Sequence, residues 1–529
     1  MSRILVLRAG LASAAALSAS ASALPDLEAI GYNALSARLG AQTPTGAGVP
    51  IGQVEAFEGA TGVYLPDPTR PQFAGIAFFA QTPGSVSSHA TGVGLSLYGA
   101  WSIATGVTQV YCWNASNFIQ SGYLRWSSAN TWPLGGPPPG GVRVFNHSWN
   151  GFLTSPPGPN DVNALRRLDD AINRDDLFSA HGFAGAGYWL LGASYNGIAV
   201  GALGSAFNGA VTPPELDSPG RTMPQIVVPL PPGGAVSDAV PVVASSAALL
   251  LDTARRWPSL ASNPDGARAL VLRAAMFVGA SRGAGWSNAP IADGPSRGLS
   301  LAPLDRTNGV GSLNIDRAHA ALTGGEWPGA PLAAGTPTPR RGWSLLRLNP
   351  GDARRFQFWL TGTAGDASFL ATWNRRLPAT APYYDSSVVA DFSLSLWRLN
   401  EDGTRTSLVG QAGAAYYTGG NTASRSPVEG TELIRVTGLA AGRYALEVTR
   451  DDALTAEPGW EAAVAWLLPM QPCPGDANGD GVIDFLDLNA VIDQYGRAPS
   501  GPVPADVNGD GRVDFFDLAL VLGNFGLRC

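Results

Sequence analysis

Two twelve-residue stretches near the carboxy terminus carry oxygen side chains at a spacing suited to a hard cation. Asp476, Asn478, Asp480, Asp484 and Asp487 fall at positions 1, 3, 5, 9 and 12 of the first, with Gly481 at position 6. Asp506, Asn508, Asp510, Asp514 and Asp517 repeat that spacing in the second, with Gly511 at position 6. Calcium needs about six to eight oxygen ligands wrapped by a short backbone arc, and glycine at position 6 permits the sharp turn. Backbone carbonyls of Val482 and Arg512, at position 7, complete each set. Both loops end on aspartate rather than glutamate, and the pair predicts two bound Ca2+ ions.

A second group of reactive side chains lies far upstream. The run Gly48 to Glu55 ends a buried strand on an acid, with Glu58 three residues on as the alternative. His89 follows in Ser88-His89-Ala90-Thr91-Gly92, then Asn146-His147-Ser148-Trp149 at another strand end. Ser237 stands in Ala235-Val236-Ser237-Asp238-Ala239, where an alanine-rich helix opens. The other histidines, His147, His181 and His319, have no ligand spacing and read as structural or surface residues, which argues against zinc.

Composition narrows the chemistry further. All 34 basic residues among the 529 are arginine. Without lysine there is no phosphate-binding Walker loop, no Schiff base and no Ser-x-x-Lys nucleophile. Net charge is −7, and nine aspartates against three arginines between 473 and 529 hold all but one unit of it. The remainder is close to neutral and lacks basic clusters, which excludes nucleic acid as a partner.

Several elements must position these groups. Arg3 and Arg8, a short apolar stretch and Ala21-Ser22-Ala23 make residues 1–23 an export signal peptide cleaved after Ala23, so the mature chain is expected outside the cytoplasm, secreted or at the cell surface or periplasm. The apolar stretch is too short to span a bilayer, and no membrane span is expected. Residues 24–325 alternate short β-branched or aromatic runs with alanine- and leucine-rich runs. Ile51–Val54, Val107–Trp113, Val142–Phe145 and Ile198–Val200 read as strands, Val162–Ile172 and Val240–Arg255 as helices. That alternation predicts an α/β domain with a parallel sheet. A Pro/Gly/Ala linker occupies 326–342. Between 343 and 469 the period becomes two, as in Phe356/Phe358/Leu360 and Tyr444/Leu446/Val448, which predicts an antiparallel β-sandwich. Residues 470–529 hold the two loops, each followed by one short apolar helix, Leu488–Tyr495 and Leu518–Phe525. Cys473 and Cys529 bracket this module and pair plausibly, while Cys112 reads as a buried strand thiol.

Two loop–helix halves with no helix before either loop resemble a dockerin module of the disulfide-bracketed bacterial type. That resemblance implies a cohesin-like partner and attachment to a surface or to a polysaccharide-degrading assembly. Phe485-Leu486 and Phe515-Phe516 stand just before position 12, where partner choice is made, and are apolar where the cellulosomal type is polar.

The order acid, histidine, serine, with the serine at a helix start, resembles the subtilases over about residues 45–320, and Gly309-Val310-Gly311-Ser312 matches their closing turn. The resemblance implies a three-layer subtilisin-like domain and hydrolysis of peptide bonds in protein or peptide substrates. Ser237 would be the nucleophile, His89 the general base and Glu55 the acid that orients it. Ser148 and Trp149 would lie on the strand that holds the substrate backbone. Three departures stand out: Glu55 replaces an aspartate, Ala235-Val236 replaces Gly-Thr, and Gly182 to Gly187 lacks the oxyanion asparagine. Losing such a donor costs about 10²–10³ in rate. The alternative is therefore a catalytically impaired fold serving as a scaffold or binding protein.

Overall fold

The computed structural model describes residues 6–9, 25–330, 338–360, 363–378, 384, 386–451, 454–469, 475–477, 483–496, 503, 505–508 and 511–526. The cleavage region at Ala23, Cys473, Cys529, Asn478, Asp480, Val482 and Asp510 lie outside them. The fold is mixed α/β: one large parallel sheet, further antiparallel sheets and a small carboxy-terminal helical module.

The elements that matter below are β1 (Ile51–Glu55), β2 (Ala77–Ala80), β3 (Gln109–Asn114), β4 (Val144–His147), β5 (Trp149–Phe152), β6 (Phe178–Gly182), β7 (Ile198–Ala202) and β8 (Ile226–Val228). The helices are α1 (Ser88–Leu97), α2 (Pro159–Asp175), α3 (Val236–Arg256), α4 (Ala269–Gly279) and α5 (Ile315–Thr323), with α6 (Phe485–Gln494) and α7 (Phe515–Gly523) in the carboxy-terminal module.

The parallel sheet runs β8-β7-β6-β4-β1-β3-β2. Every residue of β1, β4, β6, β7 and β8 is buried, as expected of strands covered on both faces. The chain winds from β1 to one edge and back to β3, then crosses to β4. Winding therefore reverses at the β1/β4 pair, and in open α/β sheets the crevice beyond the strand ends at such a reversal is the usual ligand site. Gly52 keeps this pair closed: a Cβ there would lie 2.3 Å from the Phe145 ring, its cross-strand neighbour.

Helix α3 packs under the sheet against β4, β6, β7 and β8, and α1 packs on α3. Its alanines permit close approach, while Val240, Val243, Leu249 and Leu250 fill the core. Each such side chain contributes about 1.5–3 kcal/mol on burial. Among the described residues α3 alone is long and apolar enough to cross a membrane, and most of it is core.

The antiparallel region forms two facing sheets. One joins Asp391–Leu399, Gly442–Asp451 and Ala353–Leu360; the other joins Arg341–Leu348, Trp460–Leu467, Ala364–Trp373 and Thr431–Leu439. Phe356, Phe358, Trp373, Leu394 and Trp466 share the core between them. Two features differ from expectation. The first strand begins at Arg341, because Arg341 and Gly342 already pair with Leu467 and Trp466 of the neighbouring strand. Leu299–Ser300, far upstream, joins the first sheet beside Ala423–Ser424. The two regions interlock further through buried Arg375, which pairs with Asp169 at 2.5 Å and Asp217 at 2.5 Å. Such a pair is costly to break on one side only, about 3–5 kcal/mol.

In the carboxy-terminal module each helix starts at position 10 of its loop, three residues before the expected start. The side chains of Asp484 and Asp514 accept from the N–H of Leu486 and Phe516, and Asp487 and Asp517 accept from the N–H of Asp484 and Asp514. The acids that suit calcium thus also cap the helices.

Candidate functional site

At the carboxyl end of β1, Glu55 extends into the crevice and meets His89 in the first turn of α1. The Nδ1 of His89 lies 3.0 Å from Glu55 Oε2. The other carboxylate oxygen accepts from Gln53 Nε2 at 2.9 Å, and that amide also donates to the Ala90 carbonyl. Tyr98 then donates to Gln53 Oε1 at 2.5 Å. The Glu55 side chain is only 2% exposed, so these partners replace water around its oxygens, whereas the His89 side chain is 22% exposed. With Nδ1 donating to a carboxylate, Nε2 keeps its lone pair, and it has no hydrogen-bond partner. Glu58, the alternative acid, lies elsewhere: it accepts from Ser87 Oγ at 2.6 Å, from Ser88 and from the His89 N–H, capping α1 instead of touching the imidazole.

Burial alone lowers the pKa of His89, but the Glu55 carboxylate reverses this and the net shift is upward, with Glu58 and Asp238 adding to it. Asp238 follows Ser237 and is itself raised by burial, against the Ala235 N–H and His89. Charging His89 therefore contributes stability in full below the unfolded imidazole value of about 6.5, and this is lost as pH rises through the raised folded value.

Ser237 is half-buried in the first turn of α3. Its hydroxyl makes no hydrogen bond to His89 Nε2. Backbone N–H groups of a first helical turn have no intrahelical acceptor, and the dipole there favours negative charge. The helix also contains Pro241, which has no N–H for the Ser237 carbonyl four residues back. Ser148, between β4 and β5, supplies the missing donor: its Oγ lies 3.1 Å from the Ser237 carbonyl, and Asn146 Nδ2 donates to the same hydroxyl at 3.1 Å. That contact ties Ser237 to β5. The Trp149 carbonyl and Val236 both lie close to Gly182 at the end of β6, so β5, β6 and the start of α3 converge. The backbone of Val6–Ala9 lies antiparallel along Trp149–Phe152, which shows an edge able to take an extended strand.

In the Gly182 to Gly187 stretch, which has no asparagine, Phe183 follows β6 and packs in a cluster with Leu165, Trp189, Ala199 and Met223. His147 and His181 stack at 4.4 Å inside the sheet, and burial drives His147 well below its usual pKa and His181 down to about 3. His319 packs under α3 against Trp257. These three rings are structural, and none reaches the Glu55–His89 pair. Cys112 is a buried free thiol whose pKa burial pushes far up, which makes it inert.

In the carboxy-terminal module Asp487 and Asp517 are fully buried. Asp517 accepts from the N–H of both Asn508 and Asp514, and Asp506 accepts from the Gly511 N–H at 2.8 Å. Position 12 thus meets position 3 and position 1 meets position 6, and the hard oxygen donors fit calcium. The loops are cross-tied: Gly526 N–H donates to the Ile483 carbonyl, and Gly496 N–H to Val513.

Residues 474–525 match the dockerin type I domain family, and this segment is a dockerin. No curated protein matches the chain. Its neighbours among solved structures are subtilisin-like serine proteases. Fervidolysin from Fervidobacterium pennivorans, a keratinolytic enzyme related to subtilisin, aligns at 14% identity over 76% of this chain and 53% of its own, with a TM-score of 0.34. The chain thus spans about half of fervidolysin. The MycP3 protease of the type VII (ESX-3) secretion system aligns at 15% identity over 60% and 93%, TM-score 0.33. A protease from Pseudoalteromonas arctica aligns at 15% identity over 54% and 94%, TM-score 0.30.

Two outcomes follow from this geometry. Glu55→Gln lowers the His89 pKa, read by NMR titration of the imidazole; an unmoved value contradicts the pairing. Ser148→Ala leaves the Ser237 carbonyl short of a donor and costs about 1–3 kcal/mol in chemical denaturation. Adding Pro241→Ala recovers that loss, because the new N–H at position 241 reaches the same carbonyl.

Proposed function

We propose that the chain is an exported serine endopeptidase of subtilisin type, organised as residues 24–325, a sandwich at 343–469 and an attachment module at 470–529. The observation that carries this reading is the Glu55–His89 hydrogen bond at the sheet reversal, with Nε2 unpartnered and Ser237 on the helix start beside the strand edge. Trp149 on β5, with Ser148 beside it, binds the extended substrate backbone by β-pairing.

In the forward reaction Ser237 Oγ attacks the scissile carbonyl carbon as its proton passes to His89 Nε2. Glu55 holds the resulting imidazolium through Nδ1 without taking the proton itself. The first-turn N–H groups of α3 face the tetrahedral oxyanion. His89 then protonates the leaving amine, the C–N bond breaks, and an ester to Ser237 remains. Water, deprotonated by the same Nε2, releases the acid product and restores Ser237.

The second reading, an impaired scaffold, is favoured by one observation: a buried phenylalanine stands where an amide donor is expected. The dockerin attaches the chain to a cohesin-like partner in either case. Its Asp476, Asn478, Asp480, Val482, Asp484 and Asp487 would hold one calcium ion, and Asp506, Asn508, Asp510, Arg512, Asp514 and Asp517 the other, which would rigidify the loops before α6 and α7.

A fluorophosphonate probe separates the two readings. The wild-type mature chain is expected to label and Ser237→Ala is not; absence of label on both sinks the peptidase reading.

A further inference from the structure

Trp257 immediately follows α3, the helix that opens beside Ser237. On one side its indole meets His319 edge-on, with centroids 5.0 Å apart and an 86° angle. On the other it meets Gly511, position 6 of the second calcium loop. A Cβ on Gly511 would fall 2.8 Å from indole carbons Cε2 and Cζ2, so the loop backbone rides directly on the ring. Gly511 also has φ +86°, a conformation that suits glycine. A cleft of about 280 Å3 surrounds the contact, with Pro44, Trp257 and Pro258 on one wall and Gly511 and Arg512 on the other.

The dockerin meets the body through this loop and not through its exposed apolar residues. Phe485, Leu486, Ile492 and Tyr495, and their repeats Phe515, Phe516, Leu522 and Phe525, all remain exposed. The surface suited to an external partner is therefore free while the loop is seated.

We propose that the second calcium loop is an intramolecular clamp on Trp257, so that the ion loading the dockerin also braces the carboxyl end of α3. The proposal rests on the calcium reading of the dockerin. Closing Asp506, Asn508 and Asp517 around one ion fixes the backbone at Gly511, and a fixed loop meets the indole without the ordering cost a loose loop bears. Linkage is reciprocal: if calcium tightens the seat, the seat tightens calcium by the same factor.

The test uses the full mature chain with calcium as the probe. Calorimetry is expected to show two sites, and Trp257→Leu to weaken one by about fivefold or more while sparing the other. Hydrogen exchange supplies a readout independent of that variant. Calcium protects residues 253–260 in the wild type and in Asp487→Ala, and fails to do so in Asp517→Ala. Two sites unaffected by Trp257→Leu, with no calcium-dependent protection of 253–260, overturn the clamp and leave the dockerin reading standing. Absence of any calcium binding overturns both.

Discussion

The candidate site depends on one buried carboxylate. Glu55 sits at the end of a strand covered on both faces, where a bare charge costs several kcal/mol. Its two oxygens are satisfied by His89 and by Gln53, and Gln53 is in turn held by Tyr98 and the Ala90 carbonyl. This chain of partners fixes the imidazole tautomer, leaves Nε2 without a hydrogen bond and anchors the first turn of α1. Replacing aspartate by glutamate lengthens the arm by one methylene, and the Gln53 contact holds the longer arm in place.

A second constraint acts on the serine. Pro241 interrupts the hydrogen-bond ladder of α3 at the turn where Ser237 must be presented, and the Ser148 hydroxyl repairs it from the neighbouring strand. The repair makes the position of Ser237 a property of β4 and β5 as much as of its own helix. Because β5 also offers the strand edge, Ser237 and that edge share one support. Arg375 pins the sandwich to the α/β region through Asp169 and Asp217.

Much of this was legible in the sequence, and the remainder was not for identifiable reasons. The dockerin was readable because its doubled residue spacing is local to the chain and repeats after thirty residues. Strands such as Ile198–Ala202 announced themselves by continuous apolar character, and the sandwich by period two. Helix starts came out late at Val240 and Leu488 because caps supplied by Asp238 and Asp487 extend each helix over residues with little apolar periodicity. The pairing of Leu299–Ser300 with Ala423–Ser424 joins segments more than a hundred residues apart, which no local pattern encodes. Ser148 was singled out for the substrate strand, but its bond to the Ser237 carbonyl needed the fold. Pro241 was the available hint, since an unpaired helical carbonyl must find a donor somewhere.

The central claim is that Glu55 and His89 activate Ser237 as a nucleophile. Acylation of the mature chain by an activated ester, followed across pH by intact mass with the adduct mapped to its residue, tests it most directly. The account predicts an adduct on Ser237 whose formation rises with pH through the raised His89 pKa. In Glu55→Gln the rise moves to lower pH, and the rate falls by about 10⁴, as expected when the orienting acid is lost. An adduct confined to other residues, or none on Ser237 at any pH, contradicts the account.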